Sequence, residues 1–429
     1  MKKVYKGNIF HTPVFGEYVA MENGFVVVEN GKTVGVYQEL PAEHKDAELF
    51  DYSGKLIIPG FIDTHLHASQ FVNRGLGLDK ELLPWLETYT FPEEAKYINI
   101  DYSKRAYEKI VHALWANGTT RSIHFGTIHR EATELLMDML AKAGLGALVG
   151  KVNMDRNSPD FYIETTEQSL TETRKWLENT ANKYERVKPI ITPRFVPSCS
   201  NELMAGLGKL AKEFNVKIQS HINENKSEIE WVSLLEPAAK NYADAYDRFG
   251  LFGDQPTILA HCIWNKDEEI ELMAKKQVMV AHSPHSNNNI SSGIAPIRKL
   301  LNAGVPVGLA TDISGGHAIS MTSVIVAAAQ VAKLRWVYLE ENKKKGEPLS
   351  TAEWFYLATK GGAKFIGDNL GTFESGYEFD ALIIDDSRIE DLNPRTIVER
   401  VERYIYIGDD REIVERYVSG NRLPEPKFN

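Results

Sequence analysis

The chain has 429 residues and 43% hydrophobic content, enough to bury a large core in one domain or two. Its 49 basic and 59 acidic residues leave a net charge of -10, which argues against a phosphate-backbone partner such as nucleic acid. Two cysteines, Cys199 and Cys262, cannot build a disulfide framework. No apolar run approaches the ~18 residues of a membrane helix, and "MKKVYKGNIFHTPVFGEY" has no h-region of a signal peptide, so a cytoplasmic protein is expected.

Residues 1–55 hold short β-like runs such as "GFVVVENGKTVGVYQE", with a turn signal at Asn30-Gly31. From Leu56 onward, eight apolar runs recur, beginning near residues 56, 119, 147, 187, 216, 257, 277 and 306. They are rich in Val, Ile, Leu and Thr and read as buried strands. Helical patterns separate most of them. "SKRAYEKIVHALWANG" places Ala106, Ile110 and Leu114 at steps of four and stops at Gly118. "NKDEEIELMAKK" opens acidic and closes basic, in keeping with the helix dipole. Strands alternating with helices imply parallel pairing, and eight units predict a (β/α)8 TIM-like barrel over residues 56–370. The closing runs "FDALIID" and "YVSGNRL" match the amino-terminal segment in character. Residues 1–55 and 371–429 are therefore expected to form one small β-sandwich domain from both chain ends. The insertion from Leu78 to Ile100 carries Trp85, Tyr89 and Phe91, where a substrate lid would sit. The tract "ENKKKGE" around Lys344 reads as a solvated loop.

In a barrel of this kind, chemistry belongs at the carboxyl ends of the strands. Reading those ends in order gives His65 and His67, then Arg194, then His221 and Glu224, His261, His282 and His285, and finally Asp312. His65 and His67 stand one residue apart, and strand residues i and i+2 share a face. An H-x-H pair alone matches by chance. Four strands converging on His and Asp are harder to explain as scattered structural residues. Three imidazoles and a carboxylate suit one divalent ion: His65, His67, His221 and Asp312 would hold Zn2+, with Fe2+ as the alternative. No lysine ends strand four to bridge a second ion. Arg194 stands there instead. Glu224 follows His221 by three residues, so the chain must turn for both to face the site. A carboxylate there would move protons. The alternative is a surface glutamate in the charged stretch "NENKSEIE".

The segments "PGFIDTHLHASQF", "LPWLETYTFPEE", "VKPIITPRF", "IQSHINEN", "SNNNISSG", "GLATDISGG" and "YIGDD" resemble the amidohydrolase superfamily and, more closely, the guanine deaminase family. The likeness spans nearly the whole chain. It implies a metal on His65, His67, His221 and Asp312, and guanine contacts from His67, Gln70, Arg194, Phe195, His221, Glu224 and Asp312. It implies catalytic roles for Glu224, His261 and Asp312, with His261 steadying the attacking hydroxide, and a homodimer. The implied reaction is hydrolysis of guanine at C2 to xanthine and ammonia. With C2 toward the metal, O6 and N7 would meet the donor fork of Arg194. The alternative for Arg194 is a plain ion pair closing the barrel top. Two other readings stay open: a deaminase or chlorohydrolase of the same superfamily acting on another nitrogen heterocycle, and an inactive barrel with a binding role.

Overall fold

In the computed structural model, which describes residues 2–338, 346–389 and 391–428, the chain opens with four strands. They are β1 (Lys2–His11), β2 (Val19–Glu29), β3 (Lys32–Tyr37) and β4 (Glu48–Pro59). Leu56–Pro59, read from the sequence as the start of the first barrel strand, instead continue β4. They pair with the terminal strands. The break falls at Gly60, where a Cβ would meet the Thr120 side chain at 2.3 Å.

Ten parallel strands follow: β5 (Phe61–His67), β6 (Thr119–Phe125), β7 (Gly146–Gly150), β8 (Val152–Asn153), β9 (Val187–Pro189), β10 (Thr192–Pro193), β11 (Ile218–Ile222), β12 (Thr257–His261), β13 (Met279–His282) and β14 (Val307–Leu309). Two four-stranded sheets, β5-β6-β7-β9 and β11-β12-β13-β14, carry the pattern, and β8 pairs with β10 beside them. The sheets meet at both seams. Ile191 bridges Ile218 at one. At the other, Asp312 N donates to His65 O (2.9 Å) and His67 N to Ile313 O (2.8 Å). The arrangement is the (β/α)8 barrel expected of the sequence.

Alternation along the strands divides the core. Leu148 joins Ile123, Ile190, Ile258 and Met279 in one apolar cluster, while its neighbours Ala147 and Val149 pack into the larger core that includes the helices. The helix Ile100–Ala116 shows why local sequence suffices there. Asn99 caps it through Tyr102 N, Ala106, Ile110 and Leu114 are buried, and Gly118 takes φ +72 to end it.

The carboxyl end adds β15 (Ala381–Ile384), β16 (Ile413–Val418) and β17 (Asn421–Arg422). Strands from both ends form one seven-stranded sheet, β17-β16-β15-β4-β1-β2-β3. Its two faces are both apolar. Tyr5, Ile9, Ile57 and Ile383 share one cluster, and Phe10, Leu56, Ile58 and Leu382 on the other face join the main core. The buried Arg121 on β6 bonds Asp380 and Glu378, tying barrel to sheet. The insertion after β5 folds as short helical turns from Leu82 to Ile98. Apart from its last two residues, the lysine tract around Lys344 lies outside the described residues.

Candidate active site

The carboxyl ends of the barrel strands form one rim, and most of the sequence-derived residues meet there. His67, Gln70, Arg194, Phe195, His221, Glu224, His261 and Asp312 line one pocket, and Leu82, Trp85 and Leu86 of the insertion line it too. His65 lies 3.1 Å from Asp312 Oδ1 through its Nε2. His282 and His285 stand apart from this cluster. His282 packs near Trp354, and His285 rests on His317 and bonds Ser323.

Backbone geometry aims several of these side chains. His261 and Asp312 adopt positive φ, +75 and +47, which is uncommon for residues other than glycine and turns each chain sharply at the strand end. Asn223 at φ +51 makes the turn that brings Glu224 to the same side as His221. Glu228 holds that turn: its Oε2 accepts from Glu224 N (3.0 Å) and Asn225 N (3.1 Å), and its Oε1 accepts from Tyr242 (2.6 Å). Glu224 is buried, so it is not a surface glutamate. Asp63 joins the first and last strands. It accepts from His65 N, Thr311 N and the Thr311 hydroxyl. Phe125, at the end of β6, packs against His65, His67 and His221 at 5.0, 4.6 and 4.7 Å between ring centroids.

The residues fit a metal ion. His67 Nε2 lies 3.1 Å from His221 Nε2 and 3.5 Å from Asp312 Oδ1. His65 Nε2 is buried and faces Asp312 Oδ1 at 3.1 Å. His221 Nδ1 donates to Arg194 O at 2.6 Å, so its Nε2 is left with a free lone pair. Ligand atoms of His65, His67 and Asp312, and of His65, His221 and His261, gather within 4.8 Å of one another. Protonation states agree. Burial, with His65 nearby, holds His67 and His221 well below the ordinary imidazole value. Neutral imidazoles and an ionised carboxylate are the forms that bind a metal.

Beside the ligands lie two groups that handle protons and charge. Burial, then the Glu228 and Asp312 carboxylates, raise Glu224 well above its ordinary pKa. His261 Nδ1 bonds Asn287 Oδ1 at 2.9 Å, and its Nε2 lies 3.4 Å from Glu224 Oε2 and 3.7 Å from Asp312 Oδ2. Burial pushes His261 down to about 4.

Sequence reasoning missed Glu94, Asn287 and Phe125. Glu94 is buried against Arg194 and Gln70, and Arg194 Nη1 donates to its Oε2 at 2.6 Å. Arg194 is thus in an ion pair, as the second reading had it, and it also lines the pocket. Glu94 closes "LPWLETYTFPEE", one of the segments that resemble the guanine deaminase family.

Comparison with known proteins adds to this geometry. The model of the Amidohydrolase family matches residues 56–423. A guanine deaminase of Dictyostelium discoideum is 39% identical, over 98% of this chain and 98% of that protein. The guanine deaminase of Escherichia coli strain K12 is 33% identical, over 94% of this chain and 92% of that protein. The crystal structure of guanine deaminase from C. acetobutylicum with bound guanine in the active site is 48% identical, with a TM-score of 0.96, covering 99% of this chain and 100% of that one. A triazine hydrolase from Arthobacter aurescens, at 19% identity and a TM-score of 0.85, shares the fold. The chain belongs to the amidohydrolase family and, within it, to the guanine deaminases.

Proposed function

We propose that this protein hydrolyses guanine at C2, releasing xanthine and ammonia, with His65, His67, His221 and Asp312 holding one zinc ion. One observation supports the reading: a pocket is lined by His67, His221, Asp312, Glu224 and His261 together with Arg194, Gln70 and Phe195, and His65 stands just behind it, 3.1 Å from Asp312. Three nitrogens and one carboxylate oxygen suit Zn2+, and Fe2+ accepts the same set. A bound ion of this kind lowers the pKa of a coordinated water towards ~7 and so supplies hydroxide at neutral pH.

The chain's own residues do the rest. Arg194 offers donors to O6 and N7, Phe195 packs against the base, and C2 is turned towards Asp312 and Glu224. Asp312 and Glu224 take the first proton from water, and Glu224, a carboxylate whose pKa burial raises, passes it to a ring nitrogen. Glu224 then takes the second water proton from the new C2 hydroxyl and gives it to the departing amine, so both protons of water are placed. His261 steadies the charge that develops at C2. The balance is guanine plus water giving xanthine plus ammonia.

A homodimer in a reducing, cytoplasmic setting completes the proposal. Cys199 and Cys262 are unpaired and buried. Exposed Leu334, Val337 and Tyr338 lie on the helix Met321–Tyr338, and exposed Tyr406 and Ile407 on the helix Ile397–Ile407 packed beside it, which supports a second copy covering them. The test is ammonia release from guanine, adenine and cytosine by metal-replete protein, with elemental analysis. Rapid turnover of guanine alone, with about one zinc per chain, is expected. Preference for another ring, or no turnover of any, would overturn the reading.

A further inference from the structure

Glu94 ends the short helix Phe91–Glu94 in the insertion and is 1% exposed. It does not line the pocket. Its Oε2 accepts from Arg194 Nη1 (2.6 Å) and its Oε1 from Gln70 Nε2 (2.7 Å). The same helix supplies Phe91, whose ring centroid lies 5.0 Å from the guanidinium of Arg194. One turn of the insertion therefore grips Arg194 by an edge and by a face. Gln70 is held at its other end too, where its Oε1 accepts from Ser314 N (3.2 Å). A carboxylate only accepts and a backbone N–H only donates, so these two partners decide which way the Gln70 amide points.

We propose that Glu94 is a positioning residue that sets the donor pattern of the wall facing the purine. The inference rests on the guanine reading above. By taking one edge of Arg194, Glu94 leaves the remaining N–H groups of that side chain for acceptors on the base. By taking the amide nitrogen of Gln70, it keeps the Gln70 oxygen on Ser314. Its charge also balances a buried guanidinium whose ligand is neutral, because an uncompensated buried cation is costly.

Glu94→Gln breaks this logic without changing shape. An amide at position 94 cannot accept on both sides. Its NH2 must face either the Gln70 amide nitrogen or Arg194, and two donors then meet. The double variant Glu94→Gln/Gln70→Glu restores the pairing. The new carboxylate at position 70 accepts from the new amide and from Ser314 N, and the amide carbonyl accepts from Arg194. Net charge returns to that of the wild type.

The experiment compares wild type, E94Q and E94Q/Q70E, each metal-replete, on guanine and on 2-aminopurine, which lacks O6. E94Q should raise KM for guanine about 10-fold or more, with a much smaller change in kcat and full metal content. Its preference for guanine over 2-aminopurine should fall by a similar factor. The double variant should recover the thermal stability that E94Q loses, but not its KM for guanine, because a carboxylate at position 70 offers no donor to the base. Should E94Q not fold, Glu94→Asp, which keeps an acceptor for each side at shorter reach, carries the test: KM for guanine should rise several-fold with full metal content. Wild-type KM and preference in E94Q would overturn the proposal. So would lower thermal stability with unchanged kinetics, which is what a merely structural ion pair gives. A double variant no more stable than E94Q would overturn it as well, since the re-paired donors and acceptors would then have no effect. Wild type that fails on guanine would instead bring down the underlying reading, and this inference with it.

Discussion

His221 Nδ1 donates to the main-chain carbonyl of Arg194 at 2.6 Å, so one imidazole spans the ligand cluster and the wall that carries the arginine. That bond leaves Nε2 unprotonated and facing His67 Nε2 at 3.1 Å. Its lone pair faces into the ligand cluster, where an ion, or a proton on His67 Nε2, can meet it.

His67→Ala is expected to lose metal and activity together. It removes one of the converging nitrogens and leaves His221 without its opposite number. Elemental analysis after gel filtration checks this. Near-stoichiometric metal in the variant would show that the H-x-H pair has a structural role only.

Glu224→Gln should keep the metal and lose turnover by at least ~10²-fold, and up to ~10⁴-fold, the range for a general acid–base group. The amide preserves size and can still accept from its surroundings, but it cannot carry a proton. Steady-state kcat on guanine, with metal content as the control, decides the matter. Near-normal kcat would remove Glu224 from the proton path.

Arg194→Met keeps a long side chain without donors. Adenine places a donor where guanine has O6, so an arginine that reads O6 would reject it, and sites built for a hydrogen bond discriminate by as much as ~10⁴–10⁵-fold. The variant is expected to lose orders of magnitude in kcat/KM for guanine while binding metal normally. Unchanged guanine turnover would mean that Arg194 does not read the base.

Acid should destabilise the fold well above the carboxylate range. Burial pushes His11 down to about 4 and His124 down to about 3. Unfolded histidines protonate near ~6.5, so below that pH the unfolded chain binds more protons than the folded one. Stability is therefore whole above about pH 6.5 and falls as the pH drops towards 4. Each histidine contributes on the order of 1–2 kcal/mol of that loss by pH 5. Urea titrations at pH 7 and pH 5 should show a smaller difference in His11→Asn/His124→Asn than in wild type. An equally steep loss in the double variant would count against this origin.

What the sequence made legible was local in nature. His65, His67, His221 and Asp312 stand at the ends of apolar runs, and a barrel brings all such ends to one rim. Glu224 required only the inference that the chain turns after His221, and Asn223 makes that turn. What stayed hidden depends on distant neighbours. Glu94 looks like a solvated helix-opening acid in "FPEEAK", and only the fold of the insertion against Arg194, 100 residues away, buries it. The junction at Gly60 depends on Thr120, so Leu56–Pro59 could be taken for barrel. Asn287 was visible in "SNNN", but nothing nearby in sequence says that it meets His261.

The path of β4 has a consequence for biosynthesis. This strand runs into β5, and so into His65 and His67, across the single residue Gly60. Its neighbour on one side, β1, leaves the ribosome before it. Its neighbour on the other, Ala381–Ile384, is made only near the end of translation. Asp312, which closes the ligand set, also comes late. At about 5–20 residues per second, the nascent chain carries an open sheet edge and an incomplete set of metal ligands for roughly a quarter of a minute to a minute. The proposed ligand set is therefore complete only once Asp312 has been made, and a ribosome stalled before residue 381 leaves the edge of β4 free to pair with other chains.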